Sequence, residues 1–351
     1  SSQTEKIRKL SMPSHATKVA SMLAACLTAI ALTPQAQAVA MRHDTPEARY
    51  LELGARFSAV GFLRGAGGSA VLVAPNKVLT AAHVVDSDGD GKIDSGVIGS
   101  TVAFGANLRE KAEAEASIKS ITVLQQYYGP LKNANDVAVI TLNSPISNIE
   151  PAKIVLSDLV GRVVTTVGYG IPGVGTDFDE SQLDQDFRRR AAQNIVDAIV
   201  PADFEEVSDR GAIVTDFDSP DGDNNSLNDY AEAPISDPLP LALEGMGTPG
   251  DSGGGIFADF GQGFRLVGIA SASTHLDDDE DSDRTLTGRY GTIGFESPLA
   301  RPDTIGFLAE NGVPLRGRQV AVPEPMSAAL FGLGLLTFSG LSRLGRRRSR
   351  R

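Results

Sequence analysis

Short runs of β-branched and aliphatic residues, closed by glycine or proline, fill the middle of this chain. They are SAVLVAPNKVLTAAHVV (69–85), ASIKSITVL (116–124), DVAVITL (136–142), RVVTTVGYG (162–170), FRLVGIASAS (264–273) and YGTIGFES (290–297). Such runs satisfy their backbone groups by pairing with one another, which predicts strands. Helical patterns are few. AAQNIVDAIV (191–200) reads as a helix or a strand, and LARPDTIGFLAENG (299–312) reads as a helix stopped by Gly312. With no internal repeat and many short strands, the expected fold is all-β, a barrel or a sandwich.

The two ends break this pattern. Lys6, Arg8, Lys9 and Lys18 flank the apolar run VASMLAACLTAIAL, and Ala36 and Ala38 in TPQAQA give the small-x-small spacing of an export cleavage site. Residues 1–38 are therefore expected to be a signal peptide. Cutting after Ala38 removes Cys26, the only cysteine, and so any disulfide. LAAC (23–26) resembles a lipoprotein box, but its apolar lead is short and continues past Cys26, so export without lipidation is expected.

At the other end, VPEP (322–325) precedes about seventeen uncharged, mostly apolar residues and a closing cluster of six arginines. That length is the lower limit for a spanning helix, and the arginines favour the cytoplasmic side. Residues 322–351 resemble the PEP-CTERM sorting tail of Gram-negative surface proteins, with Pro323, Glu324 and Pro325 matching the motif. The resemblance implies an exosortase-type processing enzyme as partner and membrane contact through the apolar helix before processing. It also implies a final place in the cell envelope or outside the cell.

Without these ends, the segment 39–321 has 22 basic and 42 acidic residues, a net charge of −20. That balance argues against nucleic acid as a partner.

Chemistry concentrates around EGMGTPGDSGGGIF (244–257), where glycines crowd Ser252. A serine hydroxyl needs a base, and the base needs a carboxylate to orient it. Of four histidines, His15 lies in the signal, and His43 and His275 stand in polar, loop-like surroundings. His83 ends the apolar run NKVLTAAH, and Asp136 opens NDVAVITL. The order His83, Asp136, Ser252 in these contexts resembles the chymotrypsin-like, or trypsin-fold, serine endopeptidases, over about residues 55–312.

The resemblance implies two perpendicular six-stranded β-barrels, about 55–160 and 161–312, with a C-terminal helix and the active site between them. It implies hydrolysis of protein or peptide substrates by His83, Asp136 and Ser252, with no cofactor required for the chemistry. The oxyanion hole would be the N–H groups of Gly250 and Ser252. Ser271 would sit behind the Asp–His pair, Ala272 and Ser273 would line the primary pocket, and Met246 would form its uncharged base, disfavouring cleavage after basic residues. Gly255 replaces the family's usual proline. One departure is larger: no Ile-Val-Gly-Gly segment is present to pair with Asp251 through a freed N-terminus. A catalytically inactive, protease-like surface or matrix-binding protein is the alternative, and an intact triad counts against it.

DSDGDGKIDSG (86–96) follows the histidine. Asp86, Asp88, Asp90, Lys92 (through its carbonyl) and Asp94 fall at the ligand positions of an EF-hand-type loop, while Val97 stands where the bidentate Glu belongs. Structural calcium is expected there. The acidic runs 216–229 and 277–283 have poorer spacing and read as solvated loops.

Overall fold

The computed structural model describes residues 39–124, 135–179, 184–199, 211–227, 236, 238–275 and 288–316. The expected signal peptide, the sorting tail and the acidic run 277–283 lie outside the described residues. Among the described residues no helix is long and apolar enough to cross a membrane.

The first strands are β1 (Val39–Met41), β2 (Val60–Leu63), β3 (Gly68–Ala74), β4 (Lys77–Thr80), β5 (Thr101–Phe104), β6 (Ala114–Val123) and β7 (Ala138–Leu142). Of these, β2 to β7 close into a six-stranded barrel in the order β2-β3-β4-β7-β6-β5. Closure removes the unpaired edges that short apolar strands would otherwise expose.

The later strands are β8 (Ile154–Val155), β9 (Val163–Gly168), β10 (Pro172–Val174), β11 (Arg190–Ile195), β12 (Ala198–Ile199) and β13 (Ile213–Asp216). After them come β14 (Gly245–Met246), β15 (Gly255–Asp259), β16 (Phe264–His275), β17 (Thr292–Pro298) and β18 (Leu315–Arg316). Nine of them form a sheet with the main path β11-β9-β15-β16-β17-β13-β12, and β10 and β14 flank β1 in a small sheet β10-β1-β14. This is a chymotrypsin-like, two-barrel architecture, with the second barrel drawn as an open path among the described residues. The largest apolar cluster joins the halves, with Val71, Leu79 and Val139 from the first barrel packing with Tyr169, Phe257 and Ile269 from the second.

Among the described residues there are three helices: α1 (Glu47–Ala55), α2 (Ala82–Val85) and α3 (Pro302–Glu310). The sequence reading anticipates α3, which starts at Pro302, buries Phe307 and Leu308, and precedes Gly312 at φ +70°. Pro favours the first turn and a positive-φ glycine the exit. The reading misses α1, which buries only Tyr50, Leu53 and Gly54. It also leaves AAQNIVDAIV open between helix and strand, and the structure resolves it into β11 and β12. Ala191 and Ala192 are buried there and pair with Val167 and Thr166 of β9. Small side chains let α1 approach, and tertiary contact overrides the helical propensity of alanine.

The run 216–229 is a further correction. Its described part is not a solvated loop at the start: Asp216, Phe217, Asp218 and Ser219 are all buried. Asp216 Oδ2 accepts the Leu227 N–H at 3.2 Å, and Oδ1 accepts the Ser236 hydroxyl at 3.1 Å. Burial, reinforced by the neighbouring Asp216 charge, pushes the Asp197 carboxyl up to about 8.

Candidate active site

Strand pairing brings the histidine and the aspartate together. In the antiparallel pair β4 and β7, Thr80 faces Ala138. The residues just past Thr80 and just before Ala138 therefore leave the barrel at the same rim. The first carry His83 into α2, and the second include Asp136. His83 Nδ1 lies 2.7 Å from Asp136 Oδ2, and the His83 backbone N–H donates to Asp136 Oδ1 at 2.9 Å. Ser271 donates its hydroxyl to Asp136 Oδ2 at 2.5 Å. Asp136 is 1% exposed. Burial alone would raise its pKa, but the His83 charge and the hydrogen bonds from His83 and Ser271 outweigh this and hold the carboxyl below its usual range.

The loop that carries Ser252 is fastened to the first barrel by a residue the sequence reading does not single out. Ser69 donates its N–H to the Ser252 carbonyl at 2.8 Å and its hydroxyl to the Gly250 carbonyl at 2.8 Å. Its hydroxyl also accepts the Tyr169 N–H at 3.0 Å. Only a search for the partner of the GDSGG backbone would have found it. Gly253 sits at φ +83°, and a Cβ there would lie 2.1 Å from Thr80 Oγ1 and 2.3 Å from the Ser69 carbonyl, so glycine is required on two counts.

Two further contacts bear on the peptide units that carry the N–H groups of the expected oxyanion hole. The Pro249 carbonyl accepts the Ile171 N–H at 2.8 Å, and the Asp251 carbonyl accepts the Gly254 N–H at 2.8 Å. In a trans peptide the N–H points opposite to its carbonyl. The Gly250 N–H is thus directed away from Ile171 and the Ser252 N–H away from Gly254, and neither donates to an acceptor among the described residues. Gly250, at φ +97°, and Ser252 line a cleft of about 440 Å³ with His83, Gly68 and Asp94.

The Ser252 hydroxyl makes its contact with the Ser271 carbonyl, at 3.4 Å, rather than with His83. Of the expected pocket residues, Ala272 and Ser273 are half-buried on β16, and Met246 is buried with Phe178, Phe217 and Tyr290. Met246 also pairs through its backbone with Ala40. None of these three, nor Ser271, lines the cleft beside His83.

Asp251, left without an N-terminal partner by the sequence reading, has internal ones. It accepts the Gly170 N–H at 2.8 Å, the Thr248 N–H at 3.0 Å and the Thr248 hydroxyl at 3.1 Å. Complete burial pushes its carboxyl up to about 6, against these hydrogen bonds and the Arg190 charge.

The acidic loop assembles in part. Asp86, Asp88 and Asp94 bring one carboxylate oxygen each within 4.8 Å of the others. Asp86 is buried and accepts the Asp90 and Gly91 N–H groups at 3.1 and 3.0 Å. Asp90 turns instead to Lys92 Nζ at 2.5 Å. Val97 is packed in the core and offers no ligand. Three hard oxygen donors suit calcium, short of the six to eight ligands the ion takes. His43 accepts or donates at Nδ1 with the Tyr290 hydroxyl at 2.9 Å, away from this chemistry. The side chain of His275 lies outside the described residues.

Residues 53–189 match the trypsin family. A solved structure described as Glu endopeptidase in complex with MPD aligns with 74% of this chain and 93% of that chain, at 16% identity and a TM-score of 0.44. No curated protein matches the chain in sequence. The chain thus has a chymotrypsin-like fold whose residues 53–189, with His83 and Asp136 among them, match the trypsin family.

Proposed function

We propose that the chain is a serine endopeptidase acting on protein outside the cytoplasm. The observation that carries this reading is the buried Asp136 gripping both the ring and the backbone of His83, on the rim of a cleft that also holds Ser252. Ser252 Oγ attacks the scissile carbonyl as its hydroxyl turns from Ser271 to His83. His83 takes the proton and later delivers it to the leaving amine, while Asp136 holds the Nδ1–H tautomer and balances the imidazolium. The Gly250 and Ser252 N–H groups receive the developing oxyanion. Purified protein should degrade an unfolded polypeptide without added cofactor. A folded chain that leaves every such substrate intact contradicts the reading.

The tail supports a second element of the proposal, envelope processing at Val322–Pro325 by an exosortase-type enzyme after export. The motivation is the Pro-Glu-Pro ahead of an apolar run and arginines. Intact mass of the native protein should show loss of both the signal and the arginine cluster. A mature form extending to Arg351 argues instead for a plain anchor.

We also propose that Asp86, Asp88 and Asp94 hold a structural calcium ion. The cluster of three carboxylates motivates this, because a cation relieves their mutual repulsion. Calcium should raise the melting temperature, by mass action worth about 2.7 kcal/mol at a hundred times the dissociation constant. Asp88→Ala with Asp94→Ala should abolish the rise. A wild-type melt indifferent to chelator would show the loop to be a solvated turn.

A further inference from the structure

Ser271 meets the site through three different atoms. Its hydroxyl reaches Asp136, its carbonyl receives the Ser252 hydroxyl, and its N–H donates to Glu296 Oε2 at 2.9 Å. The last contact has a cause in the sheet. Along β16 and β17, Ala270 faces Glu296 and Ala272 faces Phe295, so the register shifts and Ser271 has no cross-strand partner. A bulged residue loses its ladder hydrogen bond, and a buried N–H left without an acceptor is costly. Ser271 is 7% exposed and Glu296 6%. The carboxylate therefore takes the place of a strand carbonyl as the acceptor of the Ser271 N–H.

The bulge matters because of what it presents. In a regular strand, neighbouring side chains alternate between faces. The extra residue resets that alternation at the point where the Ser271 hydroxyl must meet Asp136 and its carbonyl must meet Ser252.

We propose that Glu296 is a positioning residue for the hydrolytic site: its carboxylate fixes the bulge at Ser271, and through Ser271 it sets Asp136 and Ser252. This inference rests on the peptidase reading given above. Glu296 touches no reacting atom, so its influence should appear in kcat and should pass through Ser271.

The test is steady-state hydrolysis of one peptide substrate by five proteins: wild type, Glu296→Gln, Glu296→Leu, Ser271→Ala, and Glu296→Leu combined with Ser271→Ala. Glu296→Gln keeps an acceptor oxygen and should stay within about threefold of wild-type kcat, as expected where one acceptor oxygen replaces another. Glu296→Leu should lose roughly tenfold or more in kcat with little change in KM, the scale of one buried hydrogen bond. The combined variant should lose more than Ser271→Ala alone, because alanine keeps the bulged N–H and the carbonyl that meets Ser252, and a double variant equal to Ser271→Ala would confine the effect of Glu296 to the Ser271 hydroxyl. If the leucine variant does not fold, Glu296→Ser, which draws the side chain out of reach of the Ser271 N–H, should give the same kcat loss. A folded Glu296→Leu or Glu296→Ser protein with wild-type kcat overturns the proposal while leaving the peptidase reading standing. A wild-type protein that neither hydrolyses peptide nor reacts with a serine-directed label overturns the peptidase reading and this one with it.

Discussion

Ser252→Ala and His83→Ala are each expected to abolish nearly all hydrolysis while leaving the fold intact. Neither side chain fills a core position: Ser252 and His83 both face the cleft. Asp136→Asn is expected to be nearly as severe, on the order of 10⁴-fold in kcat, because the amide cannot hold the Nδ1–H tautomer of the imidazole or balance its charge. The structure adds a detail. Asp136 takes hydrogen bonds from three donors, the His83 ring, the His83 N–H and the Ser271 hydroxyl. An asparagine there presents an NH₂ group to at least one of these donors, so His83 should also become less well held. The check is turnover of a peptide substrate by each variant beside a circular dichroism spectrum. Wild-type turnover by a folded Ser252→Ala protein would remove Ser252 from the mechanism.

The largest expected effect on stability comes from Arg190. Its side chain is fully buried and donates to Asp186 through Nη1 at 2.9 Å and Nη2 at 2.7 Å. It also donates to Glu47 through Nε at 3.1 Å and through Nη2. Glu47 opens α1, Arg190 opens β11 and Asp186 stands just before it, so one guanidinium ties the helix to the second sheet. Arg190→Met should cost about 3–5 kcal/mol, because Asp186 then lies in low dielectric without its cation and Glu47 keeps only the longer contact to Arg188, at 3.4 Å. Urea unfolding followed by far-UV circular dichroism measures this, and the chain has no tryptophan to report by fluorescence. A loss under about 1 kcal/mol would mean that water or a rearranged neighbour reaches the carboxylates easily, as at an exposed ion pair.

What could be read from the sequence was local. β-Branched runs bounded by glycine and proline pointed to β3, β4, β6 and β7 of the first barrel, because their pattern and their burial have the same cause, whereas the shorter β2 and β5 were not singled out. LTAAH and NDVAVI could be placed at strand ends because the apolar run stops where the polar residue begins. Long-range partners could not be read that way. Ser69 is one serine in a strand until the loop that carries Ser252 folds onto it. Glu296 looks like a charge interrupting an apolar strand until the bulge opposite it supplies the N–H it accepts. AAQNIVDAIV was ambiguous because alanine favours helices in isolation, whereas here its small size serves close packing of α1 on β11. The stretch after β13 looked solvated because it is rich in aspartate. The structure shows that buried aspartates can be tolerated when backbone N–H groups and hydroxyls reach them, as at Asp216.

The most direct test of the central claim is covalent labelling of the purified, folded protein with a fluorophosphonate, which reacts only with an activated serine. The geometry of His83, Asp136 and the Gly250–Ser252 backbone predicts a single adduct, located at Ser252 by peptide mass and absent from the Ser252→Ala protein. An unlabelled wild-type protein with a native spectrum, or a Ser252→Ala protein that labels as well as wild type, would contradict the account.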